Sequence, residues 1–250
     1  MSVDSVRRYV LLHGTVRSGE NLGKYIETKA EWRELCREEL DLPQYTLAEE
    51  IVSSIVYGIA TGLSIFGLVL LLLKTPWDVL TVTSVSIYGG SMILLYLIST
   101  LYHALGLVKG KKVFQILDHC VVFLLIAGTY TPVALLCFDG VTGWVLFGMV
   151  WAISAVGIVL NAVNLERSRK FSTACYIGLG WIIIFFLKPL TGTMGSSSLR
   201  LLFIGGILYT VGAVLYLLGK RFPHLHYVWH FFVVGGSVLH YFMIYNLIIH

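Results

Sequence analysis

Charge is what this sequence has least of. Lysine, arginine, aspartate and glutamate together make up 13% of its 250 residues, about half the share of an ordinary soluble domain. Together with a hydrophobic fraction of 57%, that deficit excludes a water-soluble globule. Cysteine is scarce as well. Cys36 falls in the N-terminal segment, Cys120 and Cys175 sit near the inner ends of apolar runs, and Cys137 is alone near an outer end. No two form a CxxC pair, so neither a disulfide framework nor a thiolate metal site is expected, and the four read as small buried hydrophobes. The first ~50 residues are polar and charged where a cleavable signal would be apolar, so no signal peptide is expected. Internal repeats and low-complexity tracts are missing too.

Present instead are seven apolar runs, at 51–73, 80–103, 114–136, 143–163, 172–190, 199–218 and 225–248. Each approaches the ~20 residues that carry a helix across a bilayer. Loops between them are short and rich in Gly, Pro, Lys or Arg. The expected fold is an all-α integral membrane protein, a seven-transmembrane helix bundle over residues 46–250, preceded by an N-terminal extension over 1–45.

The net charge of +4 becomes informative once mapped. Fifteen of the 18 basic residues fall in the N-terminal extension and in the second, fourth and sixth loops. Cytoplasmic loops carry the Lys/Arg excess, which predicts a cytoplasmic N-terminus and an external C-terminus. The basic balance thus reports topology, and no nucleic-acid partner is expected. Within the extension, Tyr25, Trp32, Leu35, Cys36 and Leu40 fall near one helical face, predicting a short amphipathic helix that Pro43 ends. "TLAE" follows as a capping box, with Thr46 as N-cap and Glu49 three residues on. Glu49 and Glu50 read as acids that complement a helix N-terminus. Small residues at "YGGSM" (88–92), Gly205–Gly206 and "VGGSV" (234–238) predict close helix contacts.

Only three of the 32 formally charged residues fall inside the predicted spans: Asp118, Lys188 and, at the outer edge of the sixth, Arg200. Lys188 lies near an outer end and can snorkel to the headgroups. Asp118 lies about one turn inside the inner end of the third span, where a carboxylate is a functional candidate whose partner should be named. Topology supplies partners. "STLYH" ends the second span and leaves His103 at the inner edge, and the seventh span opens inside with "HLHYVWH", which contains His224, His226 and His230. Three helices therefore bring imidazole and carboxylate to one depth.

His226 and His230 are four apart, so both project from one helical face and can share a metal. His103 would complete a three-histidine zinc site with one open position for water. Tyr227, Val228 and Trp229 lie between the pair, so no Glu from that helix serves as base. Asp118 is the candidate for that work, and Ser99, one turn before His103, the candidate for holding a water or a substrate oxygen. His119 points ~100° away from Asp118 and is assigned to bonding between helices or behind the site. His240, ~15 Å deeper than His230, is read as a bonded buried polar residue. His224 falls in a loop and His250 ends the chain.

At these residues the chain resembles a known family. SxxxH, then Asp, then HxxxH near the last helix is the pattern of the progestin and adipoQ receptor superfamily, and more closely of the bacterial hemolysin III proteins. "YTLAEEIVSSI", "YGGSMILLYLISTLYHA", "LDHCVVFLLIAGTYTP" and "HYVWHFFVVGGSVLHYF" carry the resemblance, which covers residues 45–249. It implies seven helices with the N-terminus inside, zinc held at His103, His226 and His230, Asp118 in contact with the metal-bound water, and Ser99 beside the site. The wider group includes alkaline ceramidases, which implies hydrolysis of a lipid amide or ester, with a membrane lipid as substrate or ligand. A bacterial inner (plasma) membrane is the expected location. The chain departs from hemolysin III sequences at Tyr57, where those often have His, and in its longer N-terminal extension.

Two further functions fit less of the pattern. One is a receptor-like or membrane-homeostasis regulator in which the zinc is structural. The other is a membrane-permeabilising protein, for which a polar stripe along several spans would be expected.

Overall fold

A computed structural model of the chain describes residues 37, 40, 42, 43, 45–105, 108–219 and 225–249; the side chains of 108, 109, 166, 169, 170 and 225–227 lie outside that description. All regular structure among the described residues is helical: α1 (Leu47–Lys74), α2 (Val79–Ala104), α3 (Val108–Cys137), α4 (Val141–Trp181), a 3₁₀ segment (Ile182–Phe186), α5 (Leu187–Thr193), α6 (Ser196–Leu218) and α7 (Leu225–Ile249). Seven helical stretches among them are long and apolar enough to cross a membrane; six predicted runs each lie within one described helix, and the fifth, 172–190, crosses from α4 through the 3₁₀ segment into α5. The protein is an integral membrane protein of seven spans. Of the predicted amphipathic helix in the extension, Tyr25, Trp32, Leu35 and Cys36 lie outside the described residues. Tyr45–Ala104 and the chain from Val113 onward form one compact unit, to which the packing below belongs.

α1 shows how its sequence sets both its start and its facing. The Thr46 hydroxyl accepts from the Glu49 amide at 3.2 Å, and the Glu49 carboxylate accepts from the Thr46 amide at 2.8 Å. This is the capping box expected from "TLAE", and it satisfies two amides that have no partner within the helix. At the far end the Thr75 amide and hydroxyl both donate to the Leu71 carbonyl, at 2.9 and 2.8 Å, before Pro76 forbids continuation. Glu50, Ser53, Tyr57, Ala60, Ser64, Gly67 and Leu71 form the buried stripe, at alternating spacings of three and four. Ile51, Ile55, Ile59, Leu63 and Phe66 face outward. Small and polar inside, large and apolar outside, is the inverse of a soluble helix. It is what hydrocarbon requires, because lipid solvates leucine while close packing and hydrogen bonds join the helices.

α6 and α7 join by a reciprocal fit. The His240 ring of α7 lies against Gly205 of α6, where an added Cβ would meet His240 Cδ2 at 2.4 Å. The Tyr209 ring of α6 lies against Gly236 of α7, where an added Cβ would come within 3.1 Å of it. Each helix offers a glycine and a ring four residues apart, so the two rings interlock, with centroids 5.2 Å apart. The small-residue stretches predicted to permit close contact do so here by receiving rings. α1 packs on α2 and on α7.

The fourth and fifth spans join as two helices that meet at a kink within α4, at Asn164, whose φ of −154° and ψ of 86° leave the helix. The Asn164 side chain accepts from the Arg167 amide at 3.0 Å and so caps the next helical stretch. Asn161, fully buried, accepts from the Ser168 and Ser172 hydroxyls and donates to Tyr176 and to the His119 carbonyl. A cluster of side-chain bonds surrounds this junction.

The fifth span is itself irregular. Where α4 gives way to the 3₁₀ segment, the Tyr130 hydroxyl of α3 donates toward the Leu179 and Gly180 carbonyls at 2.9 and 3.1 Å and accepts from the Ile183 amide at 3.0 Å. Backbone groups released within a membrane cannot turn to water, so an irregular segment persists where a neighbouring side chain satisfies them. Tyr130 does this.

Candidate metal and lipid site

Of the residues singled out by sequence, Ser99, His103, Asp118 and His230 meet at one end of the bundle, where α1 and α7 begin and α2 ends. His103, in the last turn of α2, and His230, in the second turn of α7, are both buried, and their ring centroids lie 5.0 Å apart, edge to face. One turn before His103, the Ser99 hydroxyl donates to the carboxylate of Asp118 on α3. The shared depth inferred from topology thus corresponds to a physical cluster of His103, His230, Ser99 and Asp118.

Two residues that the sequence reading left outside the candidate site belong to the same cluster. Glu50 is one: its Oε2 lies 3.0 Å from His103 Nδ1. The helix-terminus reading holds for Glu49, which completes the capping box, and misses Glu50, whose carboxylate reaches to α2. Tyr57 is the other: its hydroxyl lies 2.6 Å from His230 Nδ1, with the rings edge to face at 4.6 Å. A spacing signal was available, since Glu50 and Tyr57 are seven apart, two helical turns on one face. Around them, Tyr102 packs on His103 at 4.8 Å and Trp229 on His230 at 5.1 Å. Tyr45, just before the first span, stands 6.0 Å from His103. Burial, followed by the neighbouring Tyr102 and Tyr216 phenols, pushes its own phenol well above the ordinary value, so it stays neutral.

His103 and His230 are the described side chains best placed to hold a borderline-soft metal. Each meets its carboxylate or phenol partner through Nδ1, which makes Nε2 the nitrogen to turn toward an ion, the usual arrangement of a metal-ligating imidazole with a supporting bond behind it. Among the described residues no three His, Cys, Asp or Glu side chains form a metal cage. His226 is one turn before His230 on α7, and its side chain lies outside the description, as do His224 and His250. His119 bonds across to α6, its Nε2 lying 3.3 Å from the Tyr216 hydroxyl. His240 lies deeper in α7, with Nε2 3.2 Å from the Leu202 carbonyl.

A cavity of about 130 Å³ opens beside this cluster. Tyr57, Ser99 and Asp118 line one end, Val133 and His240 lie along its length, and Leu95, Val122, Leu125 and Leu202 are among its apolar walls. From Asp118 to Val133 along α3 is ~22 Å at helical rise. The space is therefore amphipathic, with a carboxylate and a hydroxyl at one end and mostly hydrocarbon beyond.

Comparison with known proteins agrees with this architecture. A family model described as "Haemolysin-III related" matches residues 45–241. The chain is 42% identical over 198 residues to "Hemolysin-3" of Bacillus cereus, covering 78% of this chain and 90% of that protein. It is 40% identical over 205 residues to "Hemolysin-3 homolog" of Bacillus subtilis (strain 168), covering 80% and 94%. Similarity extends to "Monocyte to macrophage differentiation factor" of Homo sapiens, 24% identical over 165 residues, covering 64% and 68%. The matched segment begins at Tyr45, directly before the capping box, and takes in the first six spans and the first part of the seventh, with Ser99, His103, Asp118 and His230: this chain belongs to the haemolysin-III-related family, within the progestin and adipoQ receptor superfamily.

Proposed function

We propose that the protein is a zinc-dependent hydrolase of a lipid amide or ester, with His103, His226 and His230 as the metal ligands. The observation that carries this reading is the Ser99–Asp118 pair, set at one end of an apolar cavity and beside two buried imidazoles. The donor set fits zinc, since neutral imidazoles supported through Nδ1 are its common protein ligands. Bound zinc would supply Lewis acidity, lowering the pKa of a coordinated water to about 7 and polarising a substrate carbonyl. Asp118 would accept the proton and later return it to the leaving amine or alcohol. Ser99 orients the Asp118 carboxylate by donating to it, and the hydroxyl sits where it can also meet a substrate oxygen. The apolar walls suit an acyl chain, whose burial there would place its carbonyl at the polar end and keep bulk water out. With the basic loops on the cytoplasmic side of a bacterial inner membrane, this chemistry would take place near the cytoplasmic face.

The test is turnover of a panel of ceramides, N-acyl amino lipids and lysophospholipids by the purified protein, with and without zinc removal by a chelator. Hydrolysis that disappears with the chelator and returns with zinc is the expected result. Tight zinc binding without turnover of any amide or ester would favour a receptor-like or regulatory protein with a structural metal.

A further inference from the structure

We infer that Glu50 is a positioning residue for the metal ligand His103, its carboxylate accepting the Nδ1–H hydrogen bond and so presenting Nε2 to the ion. This rests on the metal-site reading above and deepens it. Three observations converge on Glu50. First, the helix N-terminus does not account for it, because its neighbour Glu49 already closes the capping box with Thr46. Second, Glu50 is buried, 8% exposed, within the first turn of a membrane span. A carboxylate there is costly unless it is hydrogen-bonded to something that repays its desolvation. Third, that bond runs to His103 Nδ1 at 3.0 Å, joining residues 53 apart in the chain.

The chemistry of the two imidazole partners is unequal. An ionised carboxylate only accepts, so the nitrogen facing Glu50 carries the hydrogen and the lone pair is left on Nε2. A phenol donates or accepts, so Tyr57 orients the His230 ring at 2.6 Å without selecting its tautomer. Glu50 therefore sets both the ring angle and the tautomer of its ligand, whereas Tyr57 sets the angle alone. The carboxylate also places a negative charge behind the ligand facing a dication. α1 thus supplies the supports on which ligands from α2 and α7 rest, although it supplies no ligand itself.

The experiment compares the full-length wild type with Glu50→Gln, Glu49→Gln and Tyr57→Phe, each purified in detergent. Zinc affinity is read by competition with a chromophoric chelator, and the absorption bands of the cobalt(II)-substituted protein report ligand geometry independently of activity. Glu50→Gln should bind zinc about 10–100-fold more weakly, as expected for loss of a supporting bond, and its cobalt bands should shift. Tyr57→Phe should lose less, and Glu49→Gln should match the wild type in both readouts. Unchanged affinity and unchanged cobalt bands in Glu50→Gln overturn the inference, as does an equal loss in Glu49→Gln, which would mark a helix-end effect. Should Glu50→Gln fail to fold, Glu50→Asp takes its place, keeping the charge but falling one methylene short. Wild-type affinity in that variant is the overturning result. A wild type that binds neither metal defeats the site reading itself, an outcome distinct from all of these.

Discussion

The phenol of Tyr57 and Nδ1 of His230 lie 2.6 Å apart, across 173 residues of chain. That contact ties α1, the first span, to α7, the last. Replacing Tyr57 by Phe keeps the ring and removes the bond. Hydrogen bonds between membrane helices are worth about 0.6–2 kcal/mol, so Tyr57→Phe should destabilise the bundle by that amount. Reversible unfolding in mixed micelles measures it, and a stability equal to wild type would show the contact to be energetically idle.

Metal content distinguishes the histidines. About one zinc per chain is expected in purified protein, and alanine at His103, His226 or His230 should remove most of it. His240→Ala should keep it, because that ring bonds to Leu202 deeper in α7. Elemental analysis of the four variants decides, and full occupancy in His230→Ala would end the three-histidine assignment.

Asp118→Asn separates binding from catalysis. The imidazoles keep their lone pairs, so zinc affinity should weaken only about 10–100-fold. An amide cannot take up the proton, a step worth about 10²–10⁴ in rate, so turnover should fall much further at saturating zinc. Zinc content and lipid hydrolysis measured on one preparation give both numbers. Outright loss of metal would make Asp118 a ligand instead.

Gly205→Ala tests the interlocked rings. The new Cβ would stand 2.4 Å from His240 Cδ2 and 2.6 Å from Nε2, so the ring must move and its bond to Leu202 is strained or lost. Overpacking of this kind costs about 1–3 kcal/mol. A double variant with His240→Ala should recover most of that loss, and failure to recover would mean that the clash is relieved elsewhere.

Topology has a direct measurement. Reporter fusions should place the N-terminus in the cytoplasm and the C-terminus outside, following the Lys/Arg map. An N-terminal reporter active outside the cell would invert the bundle and put the His103–His230 end at the external face.

Much of this protein could be read along one dimension. The seven spans follow from composition, because a helix crosses hydrocarbon where ~20 residues run with little or no charge. The start of α1 is local too: Thr46 and Glu49 are three residues apart and satisfy each other wherever that helix sits. Depth was also legible, since counting turns from the loops brings Ser99, His103, Asp118 and His230 to one level. What a single dimension leaves open is azimuth, meaning which side of each helix faces which neighbour. In a soluble helix the apolar stripe reveals that facing. Here lipid and core are both apolar, and the inward face of α1 is marked mainly by small and polar residues. Tertiary packing therefore decided that Glu50 reaches His103 while Glu49 stays in the cap, that Tyr57 meets His230, and that His240 lies against Gly205. It decided as well where the fifth span could leave the α-helix. The Tyr130 hydroxyl arrives from α3 to bond the released backbone at Leu179 and Ile183, and nothing within the fifth span itself announces that partner.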